Sequence, residues 1–228
     1  MIIAKLVAVI ALGYLLGSIP FGVLISRRRA KVDVRQYGSG KMGATNVLRT
    51  VGRKAAITVG ILDVLKGVLA VVFAGLIIGE DILVVGGFPL GVLSAQVMAA
   101  LAAVAGHVWP VFVKFRGGRG VATFFGGLLV LYPPAALFGG EVLIIGAGLT
   151  RFVSLGSIIG AVGTYAILLP LIILNGFRIE LLVYALIGTI MVIVVHRDNI
   201  ARLISGKERR LGDKVKEAAS PSSTDSLE

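Results

Sequence analysis

Apolar residues run along this chain in blocks too long for the alternating faces of a soluble fold. Ile2 to Ile25, Ala55 to Gly79, Ile82 to Ala105, Ser154 to Leu174 and Ile179 to Val195 are each nearly uninterrupted. Stretches of about 17–25 residues, rising about 1.5 Å per residue, match a hydrocarbon core of roughly 30 Å, so each is expected to be a spanning α-helix. The stretch Gly117 to Leu149 is equally apolar but carries Pro133 and Pro134. Proline lacks the N–H that a helix interior needs, which predicts two short spans, Gly120 to Tyr132 and Ala135 to Leu149, turning at the prolines. A re-entrant pair would suit the same pattern. The expected fold class is all-α: a polytopic membrane helix bundle of seven spans forming one domain over 1–205. A polar, flexible tail is expected over 206–228, with Leu227 and Glu228 as a cloning remnant. The first run is too long for a cleaved signal and has only Lys5 as a basic leader.

Composition narrows the function. Of 228 residues 57% are hydrophobic and 15% charged, with a mean hydropathy of +0.96. That excludes disorder and argues against a nucleic-acid binder, which needs a polar surface around its basic patch. The chain has no cysteine and two histidines, which removes thiolate chemistry and argues against a metal site. The net charge is nevertheless +11, and its distribution is uneven. Arg27 to Lys54 holds nine Lys and Arg, Lys114 to Arg119 three, Arg151 one and the segment after His196 seven, together twenty of the twenty-three. Seven spans put all four segments on one side, which the positive-inside rule makes cytoplasmic, with the N-terminus outside and the C-terminus inside. The outside is left with short connections: Glu80 and Asp81, the Tyr132 turn, and Asn175 to Arg178.

Polar donors concentrate in the basic segments. Tyr37 to Lys54 reads YGSGKMGATNVLRTVGRK. Gly38, Gly40 and Gly43 allow backbone N–H groups to turn onto an anion, Ser39, Thr45 and Asn46 add donors, and Arg49 adds a planar fork for phosphate. Gly106 to Gly127 reads GHVWPVFVKFRGGRGVATFFGG, with Gly117, Gly118, Arg119 and Gly120 just before an apolar helix whose N-terminus favours phosphate. The GxxxxGK[ST] order is absent, so no nucleotide is implied. Trp109, Pro110, Phe112 and Phe115 read as interfacial anchors. His107 suits either a ligand or acid/base role, or a bond to the neighbouring chain at a helix end. His196 to Glu208 reads HRDNIARLISGKE; a continuing helix would set His196 and Asn199 on one face. Asp63 and Lys66, three apart inside a span, are expected to pair in the bundle interior. Arg151, Ser154 and Ser157 open the next-to-last span with a cation and two hydroxyls. Glycines four apart, such as Gly13 and Gly17, fit close helix packing in lipid.

Three strings, SGKMGATNVLR, GHVWPVFVKFRGGRGVAT and HRDNIARLISGKE, in this order between apolar helices, resemble the motifs of the bacterial acyl-phosphate-dependent glycerol-3-phosphate acyltransferases of the PlsY type. YLLGSIPFG from Tyr14 and the segment with Asp63, Lys66 and Gly67 are similar to that family as well, so the resemblance covers Tyr14 to Glu208. It implies transfer of a fatty acyl group from acyl phosphate to the 1-hydroxyl of glycerol 3-phosphate, giving 1-acylglycerol 3-phosphate and phosphate, without cofactor, metal or acyl-enzyme. It implies that Ser39, Gly40, Gly43, Thr45, Asn46, Arg49 and Ser154 hold the acyl phosphate. Lys114, Gly117, Gly118, Arg119 and Gly120, with His196 and Asn199, would bind glycerol 3-phosphate. Ser39, Arg49, His196 and Asn199 form the implied catalytic group, and Asp63, Lys66 and Glu208 the structural one. Implied partners are the two substrates, the phospholipid bilayer and a soluble enzyme that supplies acyl phosphate; the implied place is the bacterial cytoplasmic membrane, with the site at its cytoplasmic face. Lys41 stands where the family commonly has Asn, and Arg119 where it commonly has Lys. No His is followed five residues later by Asp, unlike acyltransferases with an HxxxxD motif. A small-anion transporter is the alternative, weakened because the donors lie at one face rather than at the midplane.

Overall fold

The computed structural model describes residues 2–176 and 178–213. Most of its helices follow the apolar blocks, and α3 and α10 lie in the basic segments: α1 Ile2–Ser18, α2 Phe21–Ala30, α3 Ala44–Thr50, α4 Arg53–Ile78, α5 Val92–Val108, α6 Val121–Leu131, α7 Pro133–Thr150, α8 Val153–Asn175, α9 Ile179–Val195 and α10 Arg197–Ile204. Five segments are long and apolar enough to cross a membrane: Ile2–Ala30, Arg53–Ile78, Val92–Val113, Pro133–Thr150 and Val153–Asn175. Ile179–Val195 joined to Arg197–Ile204 across a 60° bend makes a sixth. Leu76, Ile144, Leu149, Ile173 and Leu174 stand largely exposed, an apolar belt suited to lipid rather than water.

Three boundaries differ from the sequence expectation. The run at Ile82 begins not as a helix but as an antiparallel hairpin, β1 Leu83–Val85 and β2 Phe88–Leu90, turned by Gly86 and Gly87. Both glycines have positive φ, 58° and 85°, the geometry of a two-residue hairpin turn, and the flanking valines favour strand. The first run is interrupted at Ile19 and Pro20, then continues to Ala30, so Arg27, Arg28 and Arg29 emerge on helix. The turn between α6 and α7 falls at Tyr132, and Pro133 and Pro134 occupy the first helical positions of α7, where a missing N–H costs nothing. With 11 residues α6 is only about 16 Å long, far short of a bilayer core.

Small residues bring the helices close. A Cβ on Gly13 or Gly17 of α1 would collide with the carbonyls of Ala99 and Ala103 in α5, and one on Gly106 of α5 with Tyr14 of α1. Such backbone approach is how helices gain packing when lipid offers no hydrophobic drive between them. At the bundle centre Phe124, Leu128 and Tyr184 are fully buried, and the Tyr184 hydroxyl donates to the Phe124 carbonyl at 2.8 Å. The four basic segments meet at one end of the bundle, whereas Lys5 pairs with Asp81 at 2.7 Å at the opposite, hairpin end.

Candidate active site

The loop before α3 is built by its own polar groups. Asp33 accepts from the Arg35 backbone at 3.1 Å and takes the Arg35 guanidinium at 3.0 and 2.7 Å, with Arg27 at 3.0 Å. These bonds, above all from Arg35, hold the Asp33 carboxyl far below the usual range. Arg35 also donates to the Val113 carbonyl at 3.1 Å, tying this loop to the second motif. Asn46 is buried, and its amide nitrogen contacts the carbonyls of Val34, Tyr37 and Lys41 at 2.8–3.0 Å while its Oδ1 accepts from the Ser39 backbone at 3.1 Å. Its donors are therefore spent on shaping the loop rather than offered to a ligand. Gly40 takes the left-handed φ of 69° that the turn requires. Arg49 leaves α3 to donate to the carbonyls of Arg209 and Arg210 at 3.3 Å each, while its buried Nε has no partner.

The second motif folds back on α5. The Gly118 amide donates to the His107 carbonyl at 3.0 Å, and a Cβ on Gly118 would strike the His107 ring. Gly117 is equally closed in, against His107 and Val108. These two glycines exist for backbone contact, and the Gly118 N–H is not free for phosphate. Arg119 alone of this run sends a cation inward: its Nε is buried without a partner, and burial pushes its guanidinium down to about 10. Gly120, with φ of 74°, caps α6. His107 sits 3.4 Å from the Asp63 carboxylate, which also binds Lys66 at 2.9 Å, so the expected pair is a buried cluster of three.

The third motif supplies acceptors. His196 Nδ1 lies 2.7 Å from the Val192 carbonyl, which in a neutral ring only an N–H can meet; Nε2 is thereby left as an acceptor. Burial, with the nearby Arg119 charge, pushes His196 down to about 4. Asn199 donates from Nδ2 to Glu208 at 2.6 Å, so its Oδ1, buried and unpartnered, is turned elsewhere. Glu208 also accepts from Ser154 at 2.9 Å and Arg202 at 2.8 Å. Residues 207–213, expected as free tail, instead pack on the site, with reciprocal bonds between Arg151 and Leu211 at 2.7 and 3.0 Å. The expected remainder of the tail, including Leu227 and Glu228, lies outside the described residues.

One cleft of about 370 Å³ gathers these parts. Ser39, Gly43, Thr45, Asn46, Arg49, Arg119, Gly120, Ser154, His196, Asn199 and Glu208 line it, with Asp63 and His107 at its floor. Gly40, Lys114, Gly117, Gly118 and Lys66 do not; Lys114 is exposed outside it. The apolar wall of Val64, Phe125, Leu143 and Ile144 was not legible in the sequence, nor was Lys41 as a lining cation. Charge in the cleft is unbalanced. Its carboxylates, Asp63 and Glu208, are matched by Lys66 and Arg202, whereas Arg49 and Arg119 make no salt bridge among the described residues.

A neutral His196 is testable. With ring ¹⁵N labelling in detergent, and His196→Gln to assign the two histidines, its signals are expected to remain neutral at pH 6 and to titrate near 4; a midpoint near the ordinary value of about 6.5 would contradict the buried geometry. The unfolded chain takes up this proton at higher pH than the fold does, so the group's contribution to stability declines as pH falls from about 6.5 towards 4.

Comparison with known proteins places this geometry in context. The family model described as glycerol-3-phosphate acyltransferase matches residues 7–206. A glycerol-3-phosphate acyltransferase 3 of Dehalococcoides mccartyi is 63% identical over 214 residues, 94% of this chain and 99% of the relative. A glycerol-3-phosphate acyltransferase of Thermoanaerobacter pseudethanolicus is 42% identical over 212 residues, 93% of this chain and 98% of the relative. The crystal structure of PlsY, an integral membrane glycerol 3-phosphate acyltransferase, in its glycerol 3-phosphate form is 35% identical with a TM-score of 0.77, covering 91% of this chain and 96% of that one. Its lysophosphatidic acid form gives 34% and 0.76, over 91% and 95%.

Proposed function

The chain belongs to the glycerol-3-phosphate acyltransferase family of multi-pass integral membrane proteins, and on that premise we propose that it moves a fatty acyl group from acyl phosphate to the 1-hydroxyl of glycerol 3-phosphate. The observation that carries the reading is one cleft whose lining combines cations without carboxylate partners, hydroxyls and an apolar wall. Both substrates bear a phosphate, and the donor also bears a long chain. Arg49, with Ser39 and Thr45, suits the donor's phosphate, while Ser154 spends its hydroxyl proton on Glu208; Arg119 with the capped start of α6 suits the phosphate of glycerol 3-phosphate. Val64, Phe125, Leu143 and Ile144 suit the chain.

In the proposed reaction the glycerol hydroxyl oxygen attacks the acyl carbon, the C–O bond to phosphate breaks, and phosphate leaves. The hydroxyl proton ends on a phosphate oxygen, since the donor carries basic oxygens beside its own carbonyl. His196 Nε2 and Asn199 Oδ1, both acceptors, would orient the hydroxyl, so the protein's share is proximity and stabilisation of charge on the leaving group. Ser39 has no base bonded to its hydroxyl among the described residues, which speaks against an acyl-enzyme.

The proposed setting is the bacterial cytoplasmic membrane, with the short α6 counted as one of seven crossings, the N-terminus outside and the cationic end at the cytoplasmic face, where a soluble enzyme would supply the labile donor. The gathering of the basic segments at one bundle end supports that orientation. Purified protein in detergent or lipid mesophase is expected to release phosphate only when acyl phosphate and glycerol 3-phosphate are both present. Equal acyl transfer from acyl-CoA, or anion flux into liposomes without acyl transfer, would overturn the proposal.

A further inference from the structure

Resting on that reading of the cleft, we propose that Lys41 is a further catalytic residue, a cation that contacts the phosphate of the acyl donor and stabilises it as it leaves.

Lys41 lines the cleft between Ser39 and Gly43, on the loop that Asn46 shapes by donating to the Lys41 carbonyl at 2.8 Å. Its backbone is thereby fixed where its side chain enters the cleft. The side chain is half-buried, yet among the described residues its ammonium makes no salt bridge and no hydrogen bond. The charges near it are Arg119 across the cleft and Asp198 and Arg197 on α10, two cations against one carboxylate. Burial first, and Arg119 next, hold its ammonium below the ordinary lysine range. A half-buried cation facing another cation is costly unless an anion bridges them. With Arg49 and Arg119, Lys41 brings three cations without carboxylate partners to one cleft.

Charge in the reaction develops where such a cation acts. A dianionic acyl phosphate becomes a free phosphate as the C–O bond breaks, and the bonding pair collects on the oxygen that bridged carbon and phosphorus before the hydroxyl proton neutralises it. Glycerol 3-phosphate keeps its charge throughout. A cation on the loop that holds the donor therefore favours the transition state over the bound substrates, whereas one serving only the acceptor would change KM.

The test uses the full-length protein in lipid mesophase, with phosphate release measured for wild type, Lys41→Met, Lys41→Arg and Lys41→Asn. The methionine variant is expected to lose about tenfold or more in kcat, the arginine variant to regain most of it, and the asparagine variant to fall between, since an amide donates without charge. Lys31→Met, an exposed cation outside the cleft, controls for general charge loss and should match wild type. Inorganic phosphate, as a competitive probe of the donor site, should inhibit the methionine variant several-fold more weakly. Wild-type kcat and phosphate inhibition in Lys41→Met, or loss equal to that of methionine in Lys41→Arg with unchanged thermal stability, would overturn the assignment. Absence of turnover in wild type itself would instead defeat the reading of the cleft.

Discussion

Asp63→Ala is expected to destabilise the protein by about 3–5 kcal/mol, the cost of stripping a buried cation of its partner. Lys66 Nζ lies 2.9 Å from Asp63 Oδ1, and both side chains are 2–3% exposed. The other groups near the ammonium are the Ile19 carbonyl at 3.3 Å, in the break between α1 and α2, and the Phe21 ring at 5.8 Å. Neither carries a compensating charge, and the ammonium is buried inside the bundle, where an unpaired cation is costly. For a chain of this size the loss corresponds to a midpoint lowered by roughly 10 °C, measurable by thermal unfolding in a fixed detergent. Asp63→Leu with Lys66→Met removes both charges and is expected to recover most of the loss. A single variant as stable as wild type, or a double variant no better than the single, would show that the pair carries no such energy. His107 adds to the argument, because it touches Asp63 on one side and the Gly118 turn on the other, so loss of the carboxylate also loosens the second motif.

The fold was legible wherever hydropathy and helix coincide, as in α4, α8 and α9, whose ends fall within a few residues of the expected spans. It was not legible in Ile82 to Leu90, because an apolar run says that a segment avoids water but not how it satisfies its backbone. Gly86 and Gly87 between Val85 and Phe88 were the available signal for the hairpin. Pro133 and Pro134 marked a boundary correctly, though they begin a helix rather than form the turn.

The site was legible as a set of segments more than as a set of atoms. Donor-rich stretches far apart in sequence do converge on one cleft, and Ser39, Arg49, Arg119, Ser154, His196 and Asn199 all line it. Which donors the fold consumes could not be read from composition, because that depends on long-range bonds. Asn46 and the Gly118 amide look like ligand donors in a string of letters, yet both are occupied by neighbouring carbonyls. Lys41 is the reverse case, marked in the sequence only as a departure from the family's Asn, and it stands in the cleft without a salt bridge or hydrogen bond among the described residues.

Glu208→Ala is expected to reduce kcat about a hundredfold while leaving the bundle folded. A misplacement near 1 Å in a reacting geometry costs that much. The Glu208 carboxylate accepts from Asn199, Ser154 and Arg202 at 2.6, 2.9 and 2.8 Å, joining the third motif to the start of α8. Burial opposes its charge, but the bonds from Asn199, Ser154 and Arg202 prevail and keep the carboxyl below the ordinary range. It therefore holds its partners at neutral pH and releases them only as pH falls through that lowered value. As an acceptor it also decides which way the Asn199 amide faces, leaving Oδ1 free for the glycerol hydroxyl. Without it the amide can flip and Ser154 loses its partner, so the damage should appear in kcat more than in KM for either substrate. Because Glu208 is proposed to act through Asn199, Glu208→Ala with Asn199→Ala should be little worse than Asn199→Ala alone. Additive losses would mean that the two act separately, and an unchanged kcat in Glu208→Ala would remove Glu208 from any positioning part.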